Sequence, residues 1–243
     1  MKILITQIVG VGSYARVVML ETLQYLIDKY PDAKIYHLTC SNSFSTCYTN
    51  PHSKPELCFL CKKGTKKSLE LIYGNFQHVI IEELTNNGDL KIAENFINDN
   101  NKISRDTIFD DFKVGESSIS SYISHTRDRD LDNIEGSFVK KLVKNGVTLY
   151  LGLDRLFDKE KFDIVYNFNG RHTYHRAVIS LADKYNVPYF NMEVARPGGF
   201  LEIFDKALPQ DIQFKQDLVS QHWDQSKLNG EEKIQIASSF FYR

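Results

Sequence analysis

The chain has 243 residues, 42% of them hydrophobic and 25% charged, which is the make-up of an ordinary globular protein able to bury a proper core. Lys plus Arg number 30 against 31 Asp plus Glu, so there is no basic footprint of the kind that coats a polyanion, and no nucleic-acid partner is expected. No apolar run approaches the roughly 18 residues that span a bilayer. Thr6 and Gln7 interrupt the only stretch that resembles a signal peptide. A cytoplasmic protein is expected.

Residues 2–9 (KILITQIV) form a β-rich run that ends in Gly10-Val11-Gly12-Ser13, and an amphipathic stretch over 14–30 follows. The pattern predicts a strand, a tight glycine turn and a helix that Ser13 could cap. Such a turn brings backbone close to a ligand, and the N–H groups that open the helix suit phosphate. Gly10, Gly12 and Ser13 are therefore candidate ligand contacts, although a G-x-G turn that only packs the helix on the sheet fits equally well.

Residues 33–39 (AKIYHLT) predict a second strand that runs straight into Cys40. A basic helical pattern covers 62–73 and a third strand 77–82. Shorter helices follow at 89–97 and from Gly115-Glu116-Ser117-Ser118 to 126, with a solvated charged corner at 127–132. A long helical pattern recurs over 134–157, with Gly146 or Gly152 as the place where it could break. Residues 162–168 (FDIVYNF) and 187–192 predict two more strands with a helix over 173–185 between them, and a last helical stretch covers 221–243. Strands alternating with helices give a Rossmann-like α/β fold, a mainly parallel sheet with helices on both faces, as one domain. The tail ends on aromatic residues without a cap, which predicts a further domain beyond residue 243.

All four cysteines fall within residues 40–61, spaced C-x6-C-x10-C-x2-C. Cys40, Cys47, Cys58 and Cys61 together suit a tetrahedral, structural Zn2+ site, a Cys-rich knuckle inserted after the second strand. His37 or His52 could replace one thiolate, an Fe–S cluster uses other spacings, and four free thiols are the plain alternative. The second constellation is Asn167-Phe168-Asn169-Gly170-Arg171-His172 at the end of the fourth strand, with Glu193 ending the fifth. Asn pairs a donor with an acceptor, Arg offers a fork, and Gly allows close approach, a set suited to carbohydrate or phosphate. Asn169 or Thr173 could equally cap a helix.

The cysteine segment, the Phe168–His172 segment F-N-G-R-H, the Met192-Glu193 strand end and the final S-S-F-F-Y-R together resemble bacterial capsule-polysaccharide-type glycosyltransferases of the two-domain GT-B architecture. The resemblance implies the amino-terminal, acceptor-side domain of an enzyme that moves sugar from a nucleotide-sugar donor to a carbohydrate or lipid-linked acceptor. It also implies work at the inner face of the membrane. In an inverting reaction Glu193, Glu116 or His172 would take the acceptor proton, and Asn169, Gly170, Arg171 and Arg196 would hold substrate. Zinc would then be structural. A non-catalytic binding or scaffold domain built around the knuckle is the rival reading; a dehydrogenase is disfavoured because this chain lacks the third glycine of that fingerprint and an acidic residue at the end of the second strand.

Overall fold

The computed structural model describes residues 1–8, 14–40, 44, 46–100, 102–130, 136–194 and 201–241, with side chains through 239. It divides into two units, Met1–Pro209 and Gln210–Arg243. In chain order the first unit holds β1 (Lys2–Gln7), α1 (Tyr14–Lys29), β2 (Lys34–Thr39), α2 (Pro55–Leu69), β3 (Gln77–Ile80), α3 (Ile81–Leu84) and α4 (Asn87–Asp99). It continues with α5 (Val114–Thr126), α6 (Gly136–Glu160), β4 (Ile164–Phe168), α7 (Thr173–Lys184), β5 (Tyr189–Val194) and β6 (Leu201–Asp205).

The strands form one sheet in the order β3-β2-β1-β4-β5-β6, parallel except for the antiparallel edge strand β6. This is the Rossmann-like, mainly parallel arrangement with helices on both faces. Each inner strand is an Ile, Leu, Val and Tyr run because both of its faces are covered. On one face Leu4, Tyr36, Leu38 and Val165 pack against α3 to α7; on the other Ile3, Ile5 and Ile35 pack against Met19, Leu23 and Leu26 of α1. The chain order reverses between β1 and β4, and in sheets of this type the crevice at that switch point, at the strands' carboxyl ends, receives ligands.

Several local details differ from the sequence reading. The long helix α6 runs unbroken for 25 residues. Gly146 and Gly152 mark close approaches rather than breaks: a Cβ on Gly146 would sit 2.5 Å from Thr173 Cγ2, and one on Gly152 would sit 2.8 Å from the Leu84 carbonyl oxygen. Helix α2 begins at Pro55, whose missing N–H costs nothing in the first turn, so Cys58 and Cys61 are helical. The Asn86 side chain accepts from the N–H of Asp89, whose carboxylate accepts from the Asn86 N–H in return, starting α4 two residues before the expected point. The same Asp89 carboxylate receives both Arg155 terminal nitrogens, at 2.8 and 2.6 Å, tying α4 to α6. Strand β6 was not expected; only its Phe204 is buried, which leaves little hydrophobic pattern.

The second unit contains α8 (Ile212–Gln225) and α9 (Gly230–Phe241) in place of the single expected tail helix. Asp211 caps α8 through the Phe214 N–H. Asn229 and Glu232 exchange side-chain and backbone bonds at the start of α9. Among the described residues no helix is long and apolar enough to cross a membrane.

Candidate functional site

The carboxyl ends of β1, β4 and β5 are joined by buried polar side chains of matching register. Thr6 lies beside Asn167, and Asn167 beside Asn191. All three are fully buried. Thr6 donates to Asn167 Oδ1 at 2.6 Å, Asn167 Nδ2 donates to Asn191 Oδ1 at 3.0 Å, and Asn191 Nδ2 donates to the Ala207 carbonyl at 2.8 Å. A buried polar group without a partner is costly, so this ladder fixes the three strand ends relative to one another.

Directly after β4 the backbone turns through two left-handed residues, Asn169 at φ 60° and Gly170 at φ 81°. Asn tolerates that region, and Gly is needed at 170 because a Cβ there would lie 2.7 Å from Asn191 Oδ1, Ile179 Cδ1 and Leu208 Cδ2. The turn brings the Asn169 side-chain amide onto the Glu193 carboxylate, whose other oxygen accepts from the Val194 N–H at 3.0 Å. Arg171 follows, its Nε buried without a partner among the described residues. His172 stacks on Tyr48 with ring centroids 4.0 Å apart, and His175 lies beyond it at 6.3 Å.

Burial pushes the Tyr48 phenol up to about 12; Cys47 and Glu193 add to this and Arg171 opposes it. Burial lowers His172 to about 2, with His175 and Arg171 acting the same way, and lowers His175 to about 4. Both imidazoles are neutral at ordinary pH.

The structure thus brings together Asn169, Gly170, Arg171, His172 and Glu193. Glu116 stands on α5 and makes no described contact with any of them. Gly10, Gly12, Ser13 and Arg196 lie outside the described residues. Sequence reasoning passed over Tyr48. A lone aromatic in a polar loop has no periodicity, and the signal present was its place two residues before Asn50-Pro51, a turn-forming pair that folds the loop back.

The expected zinc site is corrected. None of the four cysteines is in a disulfide, and among the described residues no group of three or more His, Cys, Asp or Glu side chains could hold a metal. Three of the sulfurs already have separate partners: Cys47 Sγ meets Thr49 Oγ1 at 3.1 Å, Cys58 Sγ accepts from Asn50 Nδ2 at 3.2 Å, and Cys61 Sγ accepts from Arg16 at 3.6 Å. His37 Nε2 lies 3.2 Å from Gln7 Oε1 and the His52 ring faces His125, so neither completes a ligand set. The loop is held by amides instead. Asn50 donates to the Lys54 carbonyl and accepts from the Lys54 N–H, both at 2.9 Å. The Thr46 carbonyl accepts from Tyr174 Oη and from Asn145 Nδ2. Residues 40–61 are the connection from β2 into α2 and that helix's first turns.

No protein-family model matches the chain, and no curated protein does. Among solved structures the chain is similar to a CDPS from Fluoribacter dumoffii, at 13% identity over 84% of this chain and 90% of that one, with a TM-score of 0.48. It is also similar to the Leishmania major tyrosyl-tRNA synthetase in complex with tyrosinol, at 9% identity over 84% of this chain and 28% of that one, with a TM-score of 0.38. Neither is a GT-B glycosyltransferase, which corrects the expected family together with its nucleotide-sugar donor, its sugar transfer and its carbohydrate or lipid-linked acceptor. The F-N-G-R-H segment is explained by backbone geometry, a left-handed turn that a parallel sheet can use whatever its chemistry. The exclusion of nucleic acid is likewise withdrawn, because a near-zero net charge rules out a basic surface as a whole and not one basic helix.

Proposed function

We propose that the carboxyl edge of β1, β4 and β5 binds a small molecule carrying an amine beside a carboxyl, carbonyl or phosphate group, the amino-acid or aminoacyl class. The observation that carries this is the Glu193 carboxylate, held by Asn169 and the Val194 N–H at the switch point, on the same sheet edge as Arg171 and the stacked Tyr48 and His172 rings. The Glu193 carboxylate, oriented by Asn169 and the Val194 N–H, would accept from the ligand's ammonium. The Arg171 guanidinium would take the anionic or carbonyl end, and the Tyr48 and His172 rings would pack against an apolar side chain. Four cysteines that form no disulfide suit a reducing compartment such as the cytoplasm.

Saturation-transfer NMR of the full chain with the twenty amino acids and their methyl esters tests the proposal. At least one should bind, and Glu193→Gln should weaken it about tenfold or more through loss of the charge-assisted contact. If none binds at millimolar concentration, or if Glu193→Gln binds as the wild type does, the proposal fails.

A further inference from the structure

A concavity opens on the same sheet edge, between α2 and the ends of β2 and β3. Its volume is about 460 Å3, within the range of roughly 300–1,000 Å3 typical of small-molecule sites. The inner wall is apolar, formed by Leu69 of α2, Phe76 just before β3 and Ile80 at its end. Thr39 and His78 supply a polar patch, with Thr39 Oγ1 2.7 Å from His78 Nε2. Lys62 and Lys66, one turn apart and so on one face of α2, stand at the rim, and Glu70 follows one turn later. Lys63 and Lys67 widen the positive stripe. All four lysines are exposed, and among the described residues none forms an ion pair.

These parts select a ligand with three properties. Two unpaired ammonium groups a turn apart call for a concentrated anion, and Lys serves phosphate as a point charge. The apolar wall of Leu69, Phe76 and Ile80 calls for a flat or greasy body next to that anion. An alkyl chain would make no use of the Thr39–His78 pair or of the exposed Glu70 carboxylate, whereas these match the hydroxyls of a sugar or the edge amine of a heterocycle. A bare inorganic anion would leave the apolar wall unused. We infer that this concavity is a nucleoside-phosphate site, with Lys62 and Lys66 on the phosphate, the base against Leu69, Phe76 and Ile80, and Glu70 accepting from a hydroxyl or amine. The site does not rest on the amine-binding reading, because it shares none of its residues. A free mononucleotide and the terminal nucleotide of an RNA strand present the same chemistry.

Calorimetric titration of the full chain with AMP, UMP, ribose 5-phosphate, inorganic phosphate and a short 5′-phosphorylated oligoribonucleotide tests the inference. AMP or UMP should bind at least tenfold more tightly than ribose 5-phosphate and phosphate. The Lys62→Ala/Lys66→Ala variant changes only exposed side chains, so circular dichroism should show it folded, and its affinity should fall about tenfold per lysine. Tighter binding of the oligoribonucleotide than of AMP identifies an RNA end as the source, and the reverse order identifies a free nucleotide; both support the site. The inference is overturned if neither nucleotide nor oligonucleotide binds at millimolar concentration, if ribose 5-phosphate matches AMP, or if the double lysine variant binds like the wild type.

Discussion

Replacing Asn167 with Leu keeps the side-chain size nearly constant and removes every polar atom at the centre of the strand-end ladder. Thr6 Oγ1 loses its acceptor at 2.6 Å and Asn191 Oδ1 its donor at 3.0 Å. Both residues are fully buried, so water cannot substitute. Each stranded group costs about 1–3 kcal/mol, and the added apolar burial returns part of that, for a net destabilisation of about 3 kcal/mol. In a unit of this size that corresponds to a fall of about 6–12 °C in Tm, readable by thermal and urea unfolding. The discriminating measurement is Thr6→Val in both backgrounds. Alone it strands Asn167 Oδ1 and should destabilise by about 1 kcal/mol; combined with Asn167→Leu it removes an already stranded hydroxyl and should stabilise by about 1 kcal/mol. If Thr6→Val has the same effect in both backgrounds, or if Asn167→Leu costs under 1 kcal/mol, the ladder does not hold the strand ends as described.

Other perturbations have equally definite outcomes. Asn50→Ala removes two hydrogen bonds to Lys54 and one to Cys58, and should lower stability by about 2 kcal/mol in chemical denaturation. A metal chelator added to the wild type should leave the same curve unmoved; destabilisation by the chelator would refute the account of the loop. For pH, His37, His172 and His175 are lowered by burial to about 3, 2 and 4. They stay neutral when folded but take up protons when unfolded, so their contribution is intact above about pH 6.5 and is lost as pH falls from there toward 4, at about 1.4 kcal/mol per pH unit for each ring. His175→Leu should flatten that slope by one ring's worth in urea titrations between pH 7 and 5; an unchanged slope would show that His175 is protonated in the fold. Gly146→Val should destabilise by about 1–3 kcal/mol, since its side chain would overlap Thr173 Cγ2. Gly136→Ala, with nothing within 4 Å of the added Cβ, should be neutral or stabilising by a few tenths of a kcal/mol in the same melts.

The strands β1, β2, β4 and β5 were readable because each is an apolar run closed by a turn, and the alternation with helices implied a parallel sheet. The continuity of α6 was not. Glycine propensity points to a break at 146 or 152, while the closeness of Thr173 and Leu84, residues distant in sequence, is what requires glycine there. The cysteine spacing was equally ambiguous. C-x2-C describes a metal knuckle or two positions on one face of a helix, and Pro55 at the helix start decided between them. At the candidate site Asn169, Arg171, His172 and Glu193 were legible as polar residues at strand ends. Tyr48 was not, because its place beside His172 depends on the Thr46 carbonyl finding Tyr174 and Asn145 across the fold.

That last pair of bonds also bears on the order in which the protein is assembled during translation. The loop after β2 is anchored by residues 99 and 128 positions further along the chain. At the usual ribosomal pace of roughly 5–20 residues per second, Tyr174 follows Thr46 by about 6–25 seconds. Until α6 and α7 emerge, the nascent β2–α2 connection lacks both clamps on the Thr46 carbonyl. The newborn chain is therefore most open to capture by chaperones while its first half waits for the second.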